Sequence, residues 1–176
     1  DAKNLSRIFN ITANNVTLKD LVLINGNAQK GGAIYATGSS LIFDNLTFIN
    51  NNGSIGGAIG LYGDSTLVCN NSKFIDNVGE RGAIFVQKGE LDLYNAYLTS
   101  QRFAKAGQIY GHTGSSVYID NATFENIITD YSPAVYLTGA KARILNSKFN
   151  NLKANKSAGA VSLRDGGELY IENCEF

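Results

Sequence analysis

Side chains able to do acid–base, nucleophilic or metal chemistry are few among these 176 residues. His112 is the single histidine, so no second imidazole can complete a metal centre or a catalytic pair, and a loop or surface role is expected for it. The acids that stand out are Asp64, Asp92, Asp165 and Glu80. A glycosidase would need two of them about 5 to 10 Å apart across a scissile bond, and a lyase would need a base with charge neutralisation by metal or Arg. A different chemistry is offered by Tyr35, Phe85, Tyr110 and Tyr136, which recur about every 25 residues and whose rings could stack on a sugar. Which of these groups meet depends on the elements that carry them.

Those elements are repeats. Gly31-Gly32-Ala33-Ile34-Tyr35 recurs as Gly56-Gly57-Ala58-Ile59-Gly60, Arg81-Gly82-Ala83-Ile84-Phe85 and Ala106-Gly107-Gln108-Ile109-Tyr110, and, more loosely, twice beyond. Aligned, the chain shows pairs of apolar columns two residues apart: Ile34, Ile59, Ile84 with Ala36, Leu61, Val86, and Leu41, Leu67, Leu91 with Phe43, Cys69, Leu93. A fifth apolar column runs Leu23, Phe48, Phe74, Leu98, Phe124, Phe149, Phe176. Spacing by two marks strands with one buried face. No single repeat can bury that face alone, whereas stacking equivalent strands in parallel gives each one backbone partners above and below. The expected fold is all-β: a right-handed parallel β-helix of about seven coils with three short strands per coil, its hand taken from resemblance. Residues 1–176 are expected to form one β-helix segment, a piece of a longer repeat protein without its caps.

A polar column of Asp20, Asn45, Asn71, Asn95, Asn121, Asn146 and Asn173 follows the second strand. Asn tolerates left-handed backbone and its amide both donates and accepts, so an asparagine ladder at a corner is expected in preference to a ligand site. Stacking also sorts the reactive residues. Asp92 aligns with Val68 and Tyr118, and Asp64 and Asp165 have no acidic equivalents in neighbouring coils, so no carboxylate pair is expected and Glu80 and Arg81 read as solvated loop charges. Cys69 and Cys174 lie about four coils apart, near ~19 Å at roughly 4.8 Å per coil, beyond the roughly 7 Å that a disulfide spans. Free thiols are expected.

The zero formal net charge and the absence of a Lys/Arg run argue against nucleic acid as a partner, and no apolar stretch is long enough for membrane insertion by a helix. Blocks of the form Gly-Gly-Ala-Ile followed by Phe48-Ile49-Asn50-Asn51 or Phe74-Ile75-Asp76-Asn77 resemble repeats of chlamydial polymorphic outer-membrane proteins. The stretch Asp1 to Gly32, with Ser6-Arg7-Ile8-Phe9 and Asn15-Val16-Thr17-Leu18, is similar to adhesin-like surface proteins of methanogenic archaea. The resemblance implies an extracellular, cell-surface stalk or adhesion segment without catalysis or cofactor, its partner a glycan or protein on another cell. A polysaccharide lyase or glycoside hydrolase, and a filament that self-associates head to tail through uncapped ends, are the competing expectations. The strand parity places Tyr35, Phe85, Tyr110 and Tyr136 outward, with Ala residues two positions earlier on the same outward stripe, as a binding face. Asn52 and Asn155, in loops, are the expected glycosylation positions among several sequons.

Overall fold

The computed structural model describes the backbone throughout and the side chains of residues 1–100 and 105–176. It is an all-β parallel solenoid of about six turns, with three sheets, a small fourth one and no helix. The first sheet stacks seven strands, including Ile34–Thr37, Ile59–Tyr62, Ile84–Gln87, Ile109–His112 and Val135–Thr138. The second also has seven, among them Ser40–Asp44, Thr66–Asn70 and Glu90–Tyr94, and the third has six, from Val22–Ile24 to Lys148–Ala154. Every neighbouring pair is parallel, and the register joins residues of the same column: Ile34 to Ile59 to Ile84, Phe43 to Cys69 to Leu93, Phe48 to Phe74 to Leu98.

The core is the set of inward columns, nearly all fully buried. Its aromatic stack is close to ideal offset packing: Phe48 and Phe74 lie 4.8 Å apart at 3°, and Phe124 and Phe149 lie 5.0 Å apart at 4°. The coil spacing is itself a stacking distance, so a phenyl ring repeated once per coil meets its copy face to face without rotamer adjustment.

Corners are made by residues that accept left-handed backbone. Asp20, Asn45, Asn71, Asn95, Asn121, Asn146 and Asn173 all have φ between 50° and 54°. Their amides bond along the stack: Asn45 donates to Asp20 at 2.7 Å, Asn95 to Asn71 at 3.2 Å, Asn121 to Asn95 at 2.7 Å. The ladder has two detours, because Asn71 donates to Asp44 and Asn146 to Asp120, carboxylates at the ends of second-sheet strands. These side chains are exposed, so each bond adds at most a modest fraction of the usual ~1 kcal/mol. A shorter ladder lies inside: Asn51 and Asn77, both at 0% exposure, bond to each other and to backbone carbonyls of the third sheet.

One buried group breaks the pattern. Gln108 occupies the column of Ala33, Ala58, Ala83 and Ala134, is 1% exposed, and neither its amide nitrogen nor its amide oxygen has a partner. A buried amide without hydrogen bonds costs about 1 to 3 kcal/mol. Gln108→Leu, close in volume and free of polar atoms, is therefore expected to raise stability by about 1 kcal/mol, read as a higher urea midpoint with unchanged slope. A lowered midpoint would show that the amide does structural work.

Candidate aromatic binding site

The outer side of the first sheet carries the sequence-predicted aromatics, and its entry turn controls which side chains reach that side. At the start of the strands, two successive N–H groups converge on one carbonyl of the next coil: Ala33 and Ile34 on Ala58, Ala58 and Ile59 on Ala83, Ala134 and Val135 on Ala160. This bulge-like step turns two consecutive side chains inward. The Ala residues expected on the outward stripe are consequently core residues, with Ala33, Ala58 and Ala134 at 0% exposure. Alternation resumes after it, placing Tyr35, Tyr110 and Tyr136 outward and half-buried.

Phe85 departs from expectation. It is outward by register, paired with Gly60 and Tyr110, yet only 1% exposed. Three rings cover it: Tyr62 at 5.4 Å, Tyr110 at 5.6 Å and His112 at 6.0 Å between centroids. Phe85 therefore belongs to the support of the face and cannot contact a ligand directly. Tyr62 reaches it because Gly60 leaves the preceding level of the column empty; a Cβ on Gly60 would stand 3.0 Å from the Tyr62 ring. Tyr62 also packs on Tyr35 at 5.2 Å, and its buried hydroxyl has no partner. Burial, reinforced by Tyr35 alongside, pushes its phenol pKa far up.

The result is a continuous ladder, Tyr35, Tyr62, Phe85, Tyr110, Tyr136, the last pair 5.0 Å apart. Each contact is worth about 0.5 to 1.5 kcal/mol beyond area burial, so the rings hold one another in place. Cations sit over its ends: Arg7 over Tyr35 at 5.0 Å, Lys30 over Tyr62 at 5.1 Å and Arg164 over Tyr136 at 5.6 Å. His112, expected in a loop or on the surface, ends the strand Ile109–His112 and stacks on Tyr110. Burial, then the nearby Arg81 cation, hold its pKa below the ordinary imidazole value, favouring the neutral ring.

At the Tyr110–Tyr136 end the face deepens into a cleft of about 220 Å³, lined by Glu80, Arg81, Lys105, Ala106, Tyr110, Tyr131 and Tyr136. Tyr110 and Tyr136, tilted by 33°, contribute one wall, and Tyr131 meets Tyr136 edge-on at 66°. Glu80 and Arg81, expected as loop charges, end the short strand Val78–Arg81, which pairs in parallel with Asn52–Ile55 in the small fourth sheet, and the step after it is held close: a Cβ on Gly82, whose φ is +73°, would lie 3.1 Å from the Cβ of Tyr110. Lys105 faces Glu80 at 3.9 Å, and its carbonyl accepts from the Tyr131 N–H at 3.0 Å. Three successive coils thus assemble one site. Tyr110 and Tyr136 were legible from the column; Tyr62, Tyr131, Lys105 and the pair Glu80 and Arg81 were not, since they stand in bends, on the small sheet or beside a gap in the column. The Gly60 gap with Tyr62 two residues on was the one signal present.

The remaining predicted residues are placed apart from this face. Asn52 is exposed but opens the short strand Asn52–Ile55 instead of lying in a loop, whereas exposed Asn155 follows the strand Lys148–Ala154. Cys69 and Cys174 are free, and burial pushes the Cys69 thiol up to about 12, which leaves it inert as a nucleophile. Asp92 pairs in register with Val68 and Tyr118, Glu90 with Thr66 and Ser116, so neither has an acidic neighbour in the adjacent coils. Burial and the adjacent Glu90 raise the Asp92 pKa. No group of three or more metal-ligating side chains occurs among the described residues.

Fold and site define a parallel β-solenoid with three strands per coil and an aromatic outer face. Comparison of the chain with protein-family profiles, curated proteins and solved structures gives no match.

Proposed function

We propose that this solenoid is a non-catalytic adhesion segment, extracellular and at the cell surface, which holds a glycan of another cell against the aromatic face of its first sheet. The cleft in which Tyr110, Tyr131 and Tyr136 converge carries this reading. Pyranose rings offer C–H faces that stack on tyrosine, while their hydroxyls bond to phenols and to charged groups at a rim, and a small number of polar groups beside apolar walls is the usual composition of a ligand site. The cleft is lined by a single acid, Glu80, and the neighbouring carboxylates Glu90 and Asp92 belong to a different sheet, which supports binding over hydrolysis here, because glycoside cleavage needs a carboxylate pair.

The test is a glycan and whole-cell binding screen with the native chain and a Tyr110→Ala/Tyr136→Ala variant. Each tyrosine is half-buried on the outside of the sheet, so the variant leaves the inward columns in place while uncovering part of Phe85. Loss of most attachment is expected, at roughly 1 to 2 kcal/mol per stacking ring, with an unchanged circular dichroism spectrum. Equal attachment by the variant would refute the site, and release of oligosaccharide from any polysaccharide offered would refute the absence of catalysis.

A further inference from the structure

We infer that the ligand of the Tyr110–Tyr136 cleft is an acidic sugar, a pyranose bearing a carboxylate, with Arg81 as the group that reads the charge. This inference rests on the glycan-binding reading above and narrows it. The chain has zero formal net charge, yet the cleft is lined by two cations, Arg81 and Lys105, against one acid, Glu80. Lys105 spends part of its charge on Glu80 at 3.9 Å. Arg81 forms no ion pair among the described residues, and its side chain is exposed. Its positive field is nevertheless felt on this face, lowering the pKa of His112.

The geometry suits a ring with one carboxylate. A guanidinium presents parallel N–H donors that match a carboxylate in two bonds, with a specificity a single ammonium lacks. Arg81 and Lys105 line the same cleft as the Tyr110 and Tyr136 rings, so a sugar stacked there has its substituents within the reach of both cations. The volume of about 220 Å³ falls below the roughly 300 Å³ at which typical small-molecule sites begin. One residue of a glycan fills it, and the neighbouring sugars pass outside Phe85, which Tyr62, Tyr110 and His112 cover. Glu80 adds selectivity: its carboxylate, next to Arg81 in sequence, accepts from sugar hydroxyls and repels a ligand of high negative density, such as a sulfate cluster. Arg164, over Tyr136 on the side away from Phe85, places a further cation at the Tyr136 end of the ladder.

Binding is to be measured by calorimetry with trigalacturonate and 3′-sialyllactose, each beside its carboxyl methyl ester, and with maltotriose as a neutral sugar. Native protein, Arg81→Gln and Arg81→Lys are compared. The expected result is binding of at least one acid at least about tenfold tighter than its ester, the preference lost in Arg81→Gln and only partly restored in Arg81→Lys, and affinity that falls as salt rises. Acid and ester bound alike, or maltotriose preferred, would overturn the carboxylate while leaving glycan binding standing. An acid preference that survives Arg81→Gln would overturn the role of Arg81. Binding of none of the five sugars, together with an empty glycan screen, would overturn the glycan reading itself and the inference with it. Because the Arg81 side chain lies outside the core, a folding defect is not expected to obscure the comparison.

Discussion

Gly32→Ala is expected to lower the melting temperature by about 6 to 12 °C, equivalent to about 3 kcal/mol for a chain of this size. The reason lies in how closely the coils approach at their entry turns. A Cβ on Gly32 would stand 2.1 Å from the carbonyl oxygen of Gly57 and 2.4 Å from that of Asn52, both backbone atoms of the next coil. Backbone cannot rotate aside as a side chain does, so the two coils must separate where Gly32 N–H donates to Gly56 O at 3.0 Å and Ala33 N–H to Ala58 O at 3.0 Å. Overpacking of this kind usually costs about 1 to 3 kcal/mol, and the upper end applies because no flexible neighbour can absorb it. Gly159→Ala is the control. It occupies the equivalent place in the last repeat, where nothing lies within 4 Å of an added Cβ, and it is expected to be neutral or slightly stabilising. Thermal melts followed by circular dichroism distinguish the two, and hydrogen exchange should localise the Gly32→Ala defect to residues 26–36 and 52–60. Equal melting of both variants would mean that coils slide apart at little cost.

Asn77→Ala is expected to cost about 3 to 5 kcal/mol, from the buried groups it strands. Asn77 Nδ2 donates to the Phe48 carbonyl at 2.9 Å, and its Oδ1 accepts from both the backbone N–H and the side-chain amide of Asn51 at 3.1 and 2.8 Å. Both residues are at 0% exposure, so no water replaces the lost partner. A double-mutant cycle makes the prediction specific. Asn51→Ala/Asn77→Ala should be destabilised by less than the sum of the single changes, because either one already strands the other. Full additivity, or an Asn77→Ala variant within about 0.5 kcal/mol of native, would contradict the assignment. The same column holds Ile127 and Leu152 further along the rod, paired with each other in register.

These two sites show where local pattern was sufficient. The period, the inward columns from Ile34 to Val161 and from Leu41 to Leu169, the left-handed corners and the free cysteines all followed from residue spacing. Spacing succeeded there because strand alternation is local and because parallel stacking repeats one local decision in every coil. The internal Asn51–Asn77 pair was harder to see, since adjacent Asn50 and Asp76 look alike in sequence and only the left-handed φ of 54° at each sends the following side chain inward.

The binding face is the opposite case. Its columns were legible as far as Tyr35, Tyr110 and Tyr136, but exposure is a property of neighbours in space. Phe85 was misassigned because its cover comes from Tyr62, a residue of another column that leans across the room Gly60 leaves. The Ala stripe was misassigned because two N–H groups share one carbonyl at several coil entries, a hydrogen-bonding choice made between coils and invisible within one. Glu80 and Arg81 read as loop charges and Lys105 and Tyr131 gave no signal, and the four became a cleft only when the strand Val78–Arg81 and the bends of the next two coils were stacked at one coil spacing. Alternation and period are thus written along the chain, whereas the packing of irregular segments against one another depends on contacts some 25 residues apart, and it is there that the tertiary structure decided which side chains line the cleft.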